Sequence, residues 1–419
     1  MGIGDRPGCI CTNDATYDNR ARTRSLKDLR PLLELRRATG LYRARRIAEG
    51  PQCPEQVIDG RRMVSFCSND YLGLANDPDV VAAFKKAVEE YGVGSGAAHL
   101  INGHTRAHHA LEEDLAEFTG RARALLFSTG YMANLGVIST LVSRGDSVLE
   151  DRLNHASLID AGLLSGARLM RYPHRDVSNL SRKLAIREQG KKLIVTDGVF
   201  SMDGDIAPLA ELADVAMQHD AWLMVDDAHG LGVLGASGRG SLEHCGIDIS
   251  RVAILMGTLG KAFGTFGAFV AGCEALIEIL IQAARTYVYT TAPPPAIAEA
   301  TRTALRIAQR DSWRRERLRE LVNRFRNGAA ALDLPLVKSE TPIQPLLIGD
   351  AARATIIGEA LVAQGILATA IRPPTVPKGT ARLRITLSTM HTDAHVDKLL
   401  DALATVRLQY RLGVNDATR

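Results

Sequence analysis

Between about Arg123 and Gly272 the chain alternates short apolar runs with stretches of helical period, and no other feature restricts its fold as tightly. Neighbouring parallel strands need a long crossover between them, and a helix packed on the sheet is the usual one. The alternation therefore predicts an α/β fold with a mostly parallel central sheet wrapped by helices. The candidate strands are Ala124–Ser128, Ser147–Asp151, Arg168–Tyr172, Leu193–Asp197, Trp222–Asp226 and Val252–Met256, and Leu209–His219 after Pro208 is the plainest connecting helix. Beyond Thr290-Thr291-Ala292-Pro293-Pro294-Pro295 the pattern changes to long helices, two more strands at Ile366–Ile371 and Leu383–Leu387, and a last helix from Asp393. That change predicts a smaller α+β C-terminal domain. The expected division is an N-terminal arm and helix over 1–65 with residues 1–24 disordered, a large α/β domain over 66–300 and the small domain over 301–419.

Charge is distributed unevenly along this frame. The 419 residues carry a net +4, yet residues 1–46 hold eleven Arg/Lys against five Asp/Glu, so the remainder is slightly acidic. A basic arm of this kind can meet nucleic acid, a membrane surface or an anionic substrate, although a solvated helix face or a subunit contact is the plainer reading. The six cysteines include no C-x-x-C pair, and with no secretory signal they point to reduced thiols and a cytoplasmic protein. No apolar stretch approaches the roughly 18 residues of a membrane span.

In open parallel sheets, ligands gather at the carboxyl ends of the strands. Asp226, His155, Ser201 and Gly130 all fall just at or after such ends, and Gly130 opens a helix whose first amides suit a phosphate. Lys261 follows in Gly257-Thr258-Leu259-Gly260-Lys261-Ala262-Phe263-Gly264, where small neighbours leave room for a flat ring and burial would lower the amine pKa. A lysine that forms a Schiff base, with a carboxylate to keep a pyridine nitrogen protonated, is the equipment pyridoxal phosphate requires.

Two decoys fail on their surroundings. The lysine is not that of a phosphate loop, because Leu255 stands where the first glycine is required and Ala262 follows the lysine. Gly230-Leu231-Gly232-Val233-Leu234-Gly235 has dinucleotide-binding spacing, but no helical period follows it. His104, His108 and His109 beside Glu112, Glu113 and Asp114 have spacing that can seat a metal, yet an ordinary charged helix is favoured and no metal is expected. Arg384, alternating with apolar neighbours on a strand, suits bidentate binding of a carboxylate.

The motifs Ser68-Asn69-Asp70-Tyr71-Leu72-Gly73-Leu74, Asn154-His155-Ala156-Ser157, Gly198-Val199-Phe200-Ser201-Met202-Asp203-Gly204-Asp205, Val225-Asp226-Asp227-Ala228-His229-Gly230 and Thr258-Leu259-Gly260-Lys261 resemble those of the α-oxoamine synthases, over about residues 30–407. These are fold-type I pyridoxal-phosphate enzymes that condense an amino acid with an acyl thioester. Ala370-Ile371-Arg372-Pro373-Pro374-Thr375-Val376-Pro377 is similar to the biotin-pathway members. The resemblance implies that Lys261 carries the cofactor, Asp226 pairs its ring nitrogen, His229 bonds the ring hydroxyl with Ser201 nearby, and His155 stacks on the ring. Gly130, Tyr131 and Thr258 would hold the phosphate. Asn69 and Arg384 would engage the amino-acid carboxylate, Thr375 the substrate and Arg43 the acyl donor. It further implies L-alanine and pimeloyl-CoA or a pimeloyl-acyl carrier protein as substrates, and a homodimer with the active site at the interface. No nucleic acid or membrane partner is expected. Tyr131 stands where many relatives have Phe, and Ala98 is small where glycine-using relatives carry a hydroxyl. A glycine and acetyl-CoA ligase of the same family, or a non-catalytic partner subunit, are the alternatives.

Overall fold

The computed structural model describes residues 28–186 and 189–413, and the chain divides into two compact units, one ending at Ala44 and one beginning at Arg45. The expectation of disorder over 1–24 lies outside the described residues. Within the first unit the helix Arg30–Ala38 begins with a proline in its first turn, where the missing amide costs nothing. It ends with Arg36 and Arg37 in the last turn, where positive charge complements the helix dipole.

In the second unit seven strands build the central sheet: β1 (Arg123–Phe127), β2 (Ser147–Asp151), β3 (Arg168–Tyr172), β4 (Lys192–Asp197), β5 (Trp222–Asp226), β6 (Ile254–Thr258) and β7 (Ala268–Gly272). Their order is β1-β7-β6-β5-β4-β2-β3. Parallel pairing holds from β6 to β3, whereas β7 is antiparallel to both β1 and β6. The sequence pattern does not anticipate β7, because Ala268, Ala271 and Gly272 leave only Phe269 and Val270 as strand-forming bulk and no alternation. Its position matters, since the return from β6 to β7 is the loop that carries Lys261. The strand expected at Val252–Met256 is also corrected. A 3₁₀ turn at Ile249–Arg251 occupies its approach, and pairing with β7 extends the strand to Thr258.

The strands read as continuous apolar runs because both faces are buried. Alternate residues serve opposite cores. Val195, Met224, Ile254 and Met256 join Ala133 and Val137 of α2 (Gly130–Leu141) and Leu158 and Ala161 of α3 (Ala156–Leu164). Ile194, Leu223, Val225 and Leu255 face the other way, onto Leu209, Leu212 and Ala213 of α4 (Leu209–Gln218). Each Val, Leu, Ile or Met side chain among them contributes roughly 1.5–3 kcal/mol by burial. The result is a rigid floor for whatever sits at the strand ends.

Toward the C-terminus, β8 (Ile343–Gly349), β9 (Thr369–Ile371) and β10 (Ala381–Thr386) form an antiparallel sheet in the order β8-β10-β9. The single strand expected at Ile366–Ile371 is two. Ile366–Leu367 runs parallel to Arg61–Ser65 in a separate four-stranded sheet, and the chain changes sheets at the buried Ala368. The strand expected at Leu383–Leu387 begins earlier, at Ala381, because β8 and β9 both pair with its first residues. Among the described residues no helix is long and apolar enough to cross a membrane.

Candidate active site

The parallel register of β4 and β5 sets Asp197 directly opposite Asp226 at the carboxyl edge of the sheet. Two buried carboxylates side by side cannot both carry charge cheaply, so their hydrogen bonds decide between them. Asp226 Oδ2 accepts from Asn134 Nδ2 at 2.8 Å and Oδ1 from the Ala228 amide at 3.1 Å. Asp197 Oδ2 accepts from the His155 amide at 2.8 Å. Burial, and then the neighbouring Asp226, push the Asp197 carboxyl well above the usual range.

The helix termini complete this edge. Thr129 caps α2, taking the Met132 amide on its hydroxyl at 3.1 Å and the Ala133 amide on its carbonyl at 3.0 Å. Among the described residues the amides of Gly130 and Tyr131 have no protein partner, which leaves two donors and the positive end of the helix facing outward. The Tyr131 hydroxyl donates to Asp160 of α3, which ties the ring to the neighbouring helix. His155 caps α3, its Nδ1 within 2.7 Å of Ser157 Oγ, and that hydroxyl accepts from Asn134 at 2.8 Å. His155 is exposed by surface area because its ring lines an open cavity, yet desolvation lowers its pKa.

Lys261 enters from the β6–β7 loop. Its Nζ lies 2.9 Å from His229 Nε2, and His229 Nδ1 lies 2.7 Å from the Tyr71 hydroxyl. Tyr71 donates to Asn69 Oδ1 at 3.2 Å, so His229 Nδ1 is the donor to Tyr71 and Nε2 is left to accept from the lysine. Arg384 Nη2 reaches the same Asn69 oxygen at 3.2 Å, while its Nε donates to the Ser201 carbonyl at 2.6 Å. Burial pulls the Lys261 pKa down to about 8, against the attraction of Asp226 and Asp197. The His229 imidazole is held neutral by burial and by the Lys261 charge. Directly behind, Asp227 is fully buried and its carboxyl is pushed up to about 7 by desolvation, with Oδ2 accepting from the Ser241 amide at 2.7 Å.

Gly130, Tyr131, His155, Ser201, Asp226, His229, Thr258 and Lys261 all line one cavity of about 200 Å³. Arg384 stands one hydrogen bond behind Ser201, and Asn69 is linked to His229 through the Tyr71 hydroxyl. The remaining two expected residues are not part of this cavity. Thr375 is exposed on the loop between β9 and β10, and Arg43 belongs to the N-terminal unit. A larger groove, about 560 Å³ and bordered by Glu243, Arg315 and Glu340, contains none of the expected residues. Sequence reasoning assigned no role to Asn134, Ser157 or Tyr71. The spacing from Gly130 to Asn134, one helical turn, was the signal that Asn134 lies beneath the same helix end.

This donor set fits pyridoxal phosphate. An amine of lowered pKa, a buried carboxylate held by hydrogen bonds from Asn134 and Ala228, an imidazole at the cavity wall and two outward amides at a helix N-terminus match its aldehyde, ring nitrogen, ring face and phosphate in turn.

Comparison with known proteins agrees with the geometry. The aminotransferase class I and II family model matches residues 61–403. The chain is 66% identical to an 8-amino-7-oxononanoate synthase of Thioalkalivibrio sulfidiphilus, over 90% of this chain and 97% of that one. It is 64% identical to that of Nitrosococcus oceani, over 89% and 99%. Among solved structures, a serine palmitoyltransferase from S. paucimobilis with a bound PLP-myriocin aldimine superposes with a TM-score of 0.87 at 33% identity, covering 91% of this chain and 97% of that one. An 8-amino-7-oxononanoate synthase from Francisella tularensis gives a TM-score of 0.73 at 35% identity, covering 83% and 98%.

Proposed function

This chain belongs to the aminotransferase class I and II family, as one of its α-oxoamine synthases, and from that premise we propose that it makes 8-amino-7-oxononanoate. It is a pyridoxal-phosphate-dependent acyltransferase of biotin biosynthesis. L-Alanine and a pimeloyl thioester give 8-amino-7-oxononanoate, carbon dioxide and the free thiol of the carrier. The observation that carries the reading is the placement of the Lys261 amine in one cavity with Asp226, His155 and the α2 amides.

When bound, the cofactor supplies an electron sink for the pair left at Cα as its bonds break. The residues of the chain do the rest. Lys261 holds the cofactor aldehyde between turnovers and, once displaced by alanine as a neutral amine, takes up the Cα proton and becomes an ammonium. Asp226, fixed by Asn134 and Ala228, keeps the proton on the ring nitrogen. His229 bonds the ring hydroxyl with Ser201 beside it, and His155 covers one face of the ring. Gly130, Tyr131 and Thr258 hold the phosphate. Arg384 and Asn69, already hydrogen-bonded to each other, orient the alanine carboxylate. Thr375 contacts the substrate and Arg43 the acyl donor, which is a coenzyme A or acyl-carrier-protein thioester. The working form is a cytoplasmic homodimer with the site at its interface, a reading supported by the resemblance to the α-oxoamine synthases.

The test is a matrix of amino acids against acyl donors with mass detection of the product. Alanine with a pimeloyl donor should give product, and glycine with acetyl-CoA little. The reverse pattern would instead identify a ligase making 2-amino-3-oxobutyrate.

A further inference from the structure

The histidine-rich run at the start of α1 (Arg106–Thr119) takes no part in the reaction described above, and the fold sorts its imidazoles sharply. His108 is fully engaged. Its Nδ1 accepts from the Thr105 amide at 3.1 Å, and its Nε2 must donate to the Pro293 carbonyl at 2.7 Å. No lone pair is left for a ligand, so the His104/His108 spacing that draws the eye in the sequence is the wrong pair.

His104 and His109 are placed differently. The two rings lie 5.8 Å apart and nearly perpendicular, at 88°. His104 uses Nδ1 to bond His99 Nδ1 at 2.9 Å, and the His99 ring is itself fixed by stacking on Tyr287 at 4.9 Å. That bond aims His104 Nε2 at Glu112 Oε2, 3.9 Å away. Glu112 lies one turn beyond His109 on the same helix, and its Oε1 is anchored by the Leu126 amide at 3.0 Å. One ligand atom each from His104, His109 and Glu112 fall within 4.8 Å of one another.

We propose that His104, His109 and Glu112 bind a divalent transition-metal cation, zinc foremost, through two imidazole nitrogens and one carboxylate oxygen. Two histidines and a glutamate are a recognised zinc donor set, and ligand bonds of about 2.0–2.2 Å require the three groups to close by only a small side-chain movement. The surroundings meet the second requirement of a metal site, that the groups behind the ligands fix their aim: His99 orients His104, and Leu126 orients Glu112. The Glu112 side chain is only 13% exposed, and among the described residues its one ion-pair partner is His104, so the carboxylate is buried short of positive charge. The bland alternative is a set of ion pairs, since His109 Nε2 also stands 3.4 Å from Glu113 Oε1. Water fills the coordination left open by three protein ligands. A bound ion would tie the turn before α1 to the helix itself.

The test uses the full chain with pyridoxal phosphate bound, carrying Cys9→Ser and Cys11→Ser so that the N-terminal thiols do not compete for metal. Zinc is titrated calorimetrically, and cobalt(II) is followed by its visible absorption. One equivalent per chain is expected, with a rise in melting temperature. His109→Ala, at an exposed helix position, should weaken binding by about 100-fold or more, beyond the 10–100-fold typical of groups behind the ligands. Glu112→Gln, which can keep the Leu126 bond, should weaken it by at least about tenfold, while His244→Ala elsewhere should change nothing. Absence of stoichiometric binding, or unchanged affinity in His109→Ala and Glu112→Gln, would overturn the proposal.

Discussion

Lys261 owes its chemistry to where it is buried rather than to its sequence neighbours alone. An amine captures an aldehyde only when neutral, and desolvation brings the Lys261 pKa down to about 8, well below that of an ordinary lysine. Capture of pyridoxal phosphate by the apoenzyme should therefore accelerate as pH rises through about 8 and level off above it. A stopped-flow profile still climbing past pH 10 would show an unperturbed lysine. Borohydride reduction followed by peptide mapping should place the cofactor on Lys261, and Lys261→Ala should lose at least the ~10²–10⁴-fold expected of a missing general base. Asn134 is the residue beneath this chemistry that sequence motifs pass over. Asn134→Ala would strip Asp226 Oδ2 of its side-chain donor in a buried place, a cost of roughly 1–3 kcal/mol. It should appear as faster cofactor loss during gel filtration, with the lysine linkage itself intact. Motif residues such as Asp226 were legible because strand ends advertise themselves. Asn134 was not, because its meaning lies in a bond to a residue 92 positions away.

At the scale of elements, the loop that presents Ser201 is clamped by His174. Its Nδ1 lies 3.0 Å from Asp151 at the end of β2, and its Nε2 2.9 Å from Asp205. Burial opposes its charge, but the bonds to Asp151 and Asp205 outweigh burial and raise its pKa to about 9. A histidine whose folded pKa lies above its unfolded value near 6.5 stabilises fully below about pH 6.5, and that contribution is lost as pH rises through about 9. The melting temperature of His174→Gln should thus fall furthest below that of the unsubstituted protein near pH 6, and the gap should close above pH 9. A gap independent of pH would mean the clamp works by packing on Phe200 rather than by charge. Strand positions and the mostly parallel pairing could be read from the sequence because both faces of each strand are buried. β7 and the break at Ala368 could not, since each depends on which neighbouring strand the chain meets. Gly264 shows the same dependence: at φ +65° a Cβ would stand 2.2 Å from the Ala75 amide nitrogen, so the turn after Lys261 is built against a segment almost 200 residues earlier.

For the whole molecule, the sequence indicated an α/β enzyme, and its two compact units divide between Ala44 and Arg45. Apolar periodicity locates strands and helices, whereas a boundary between units depends on which residues pack together. The second unit opens at Arg45 and holds every residue that lines the cavity, while Arg43 lies in the first unit. The first unit, residues 1–44, carries nine Arg/Lys against five Asp/Glu, a surplus of four, and that charge suits an anionic carrier such as coenzyme A or an acidic carrier protein. These placements separate two functions that a full-length assay measures together. A chain beginning at Arg45 should fold, fix pyridoxal phosphate on Lys261 and bind alanine with unchanged affinity, because none of those contacts is removed. Its KM for the pimeloyl thioester should rise, and the donor KM of the full chain should rise with ionic strength where that of the shortened chain does not, since screening acts only on charge that remains. Loss of cofactor binding on shortening would refute the independence of the second unit. An unchanged donor KM would remove Arg43 and the arm from the acyl-donor site.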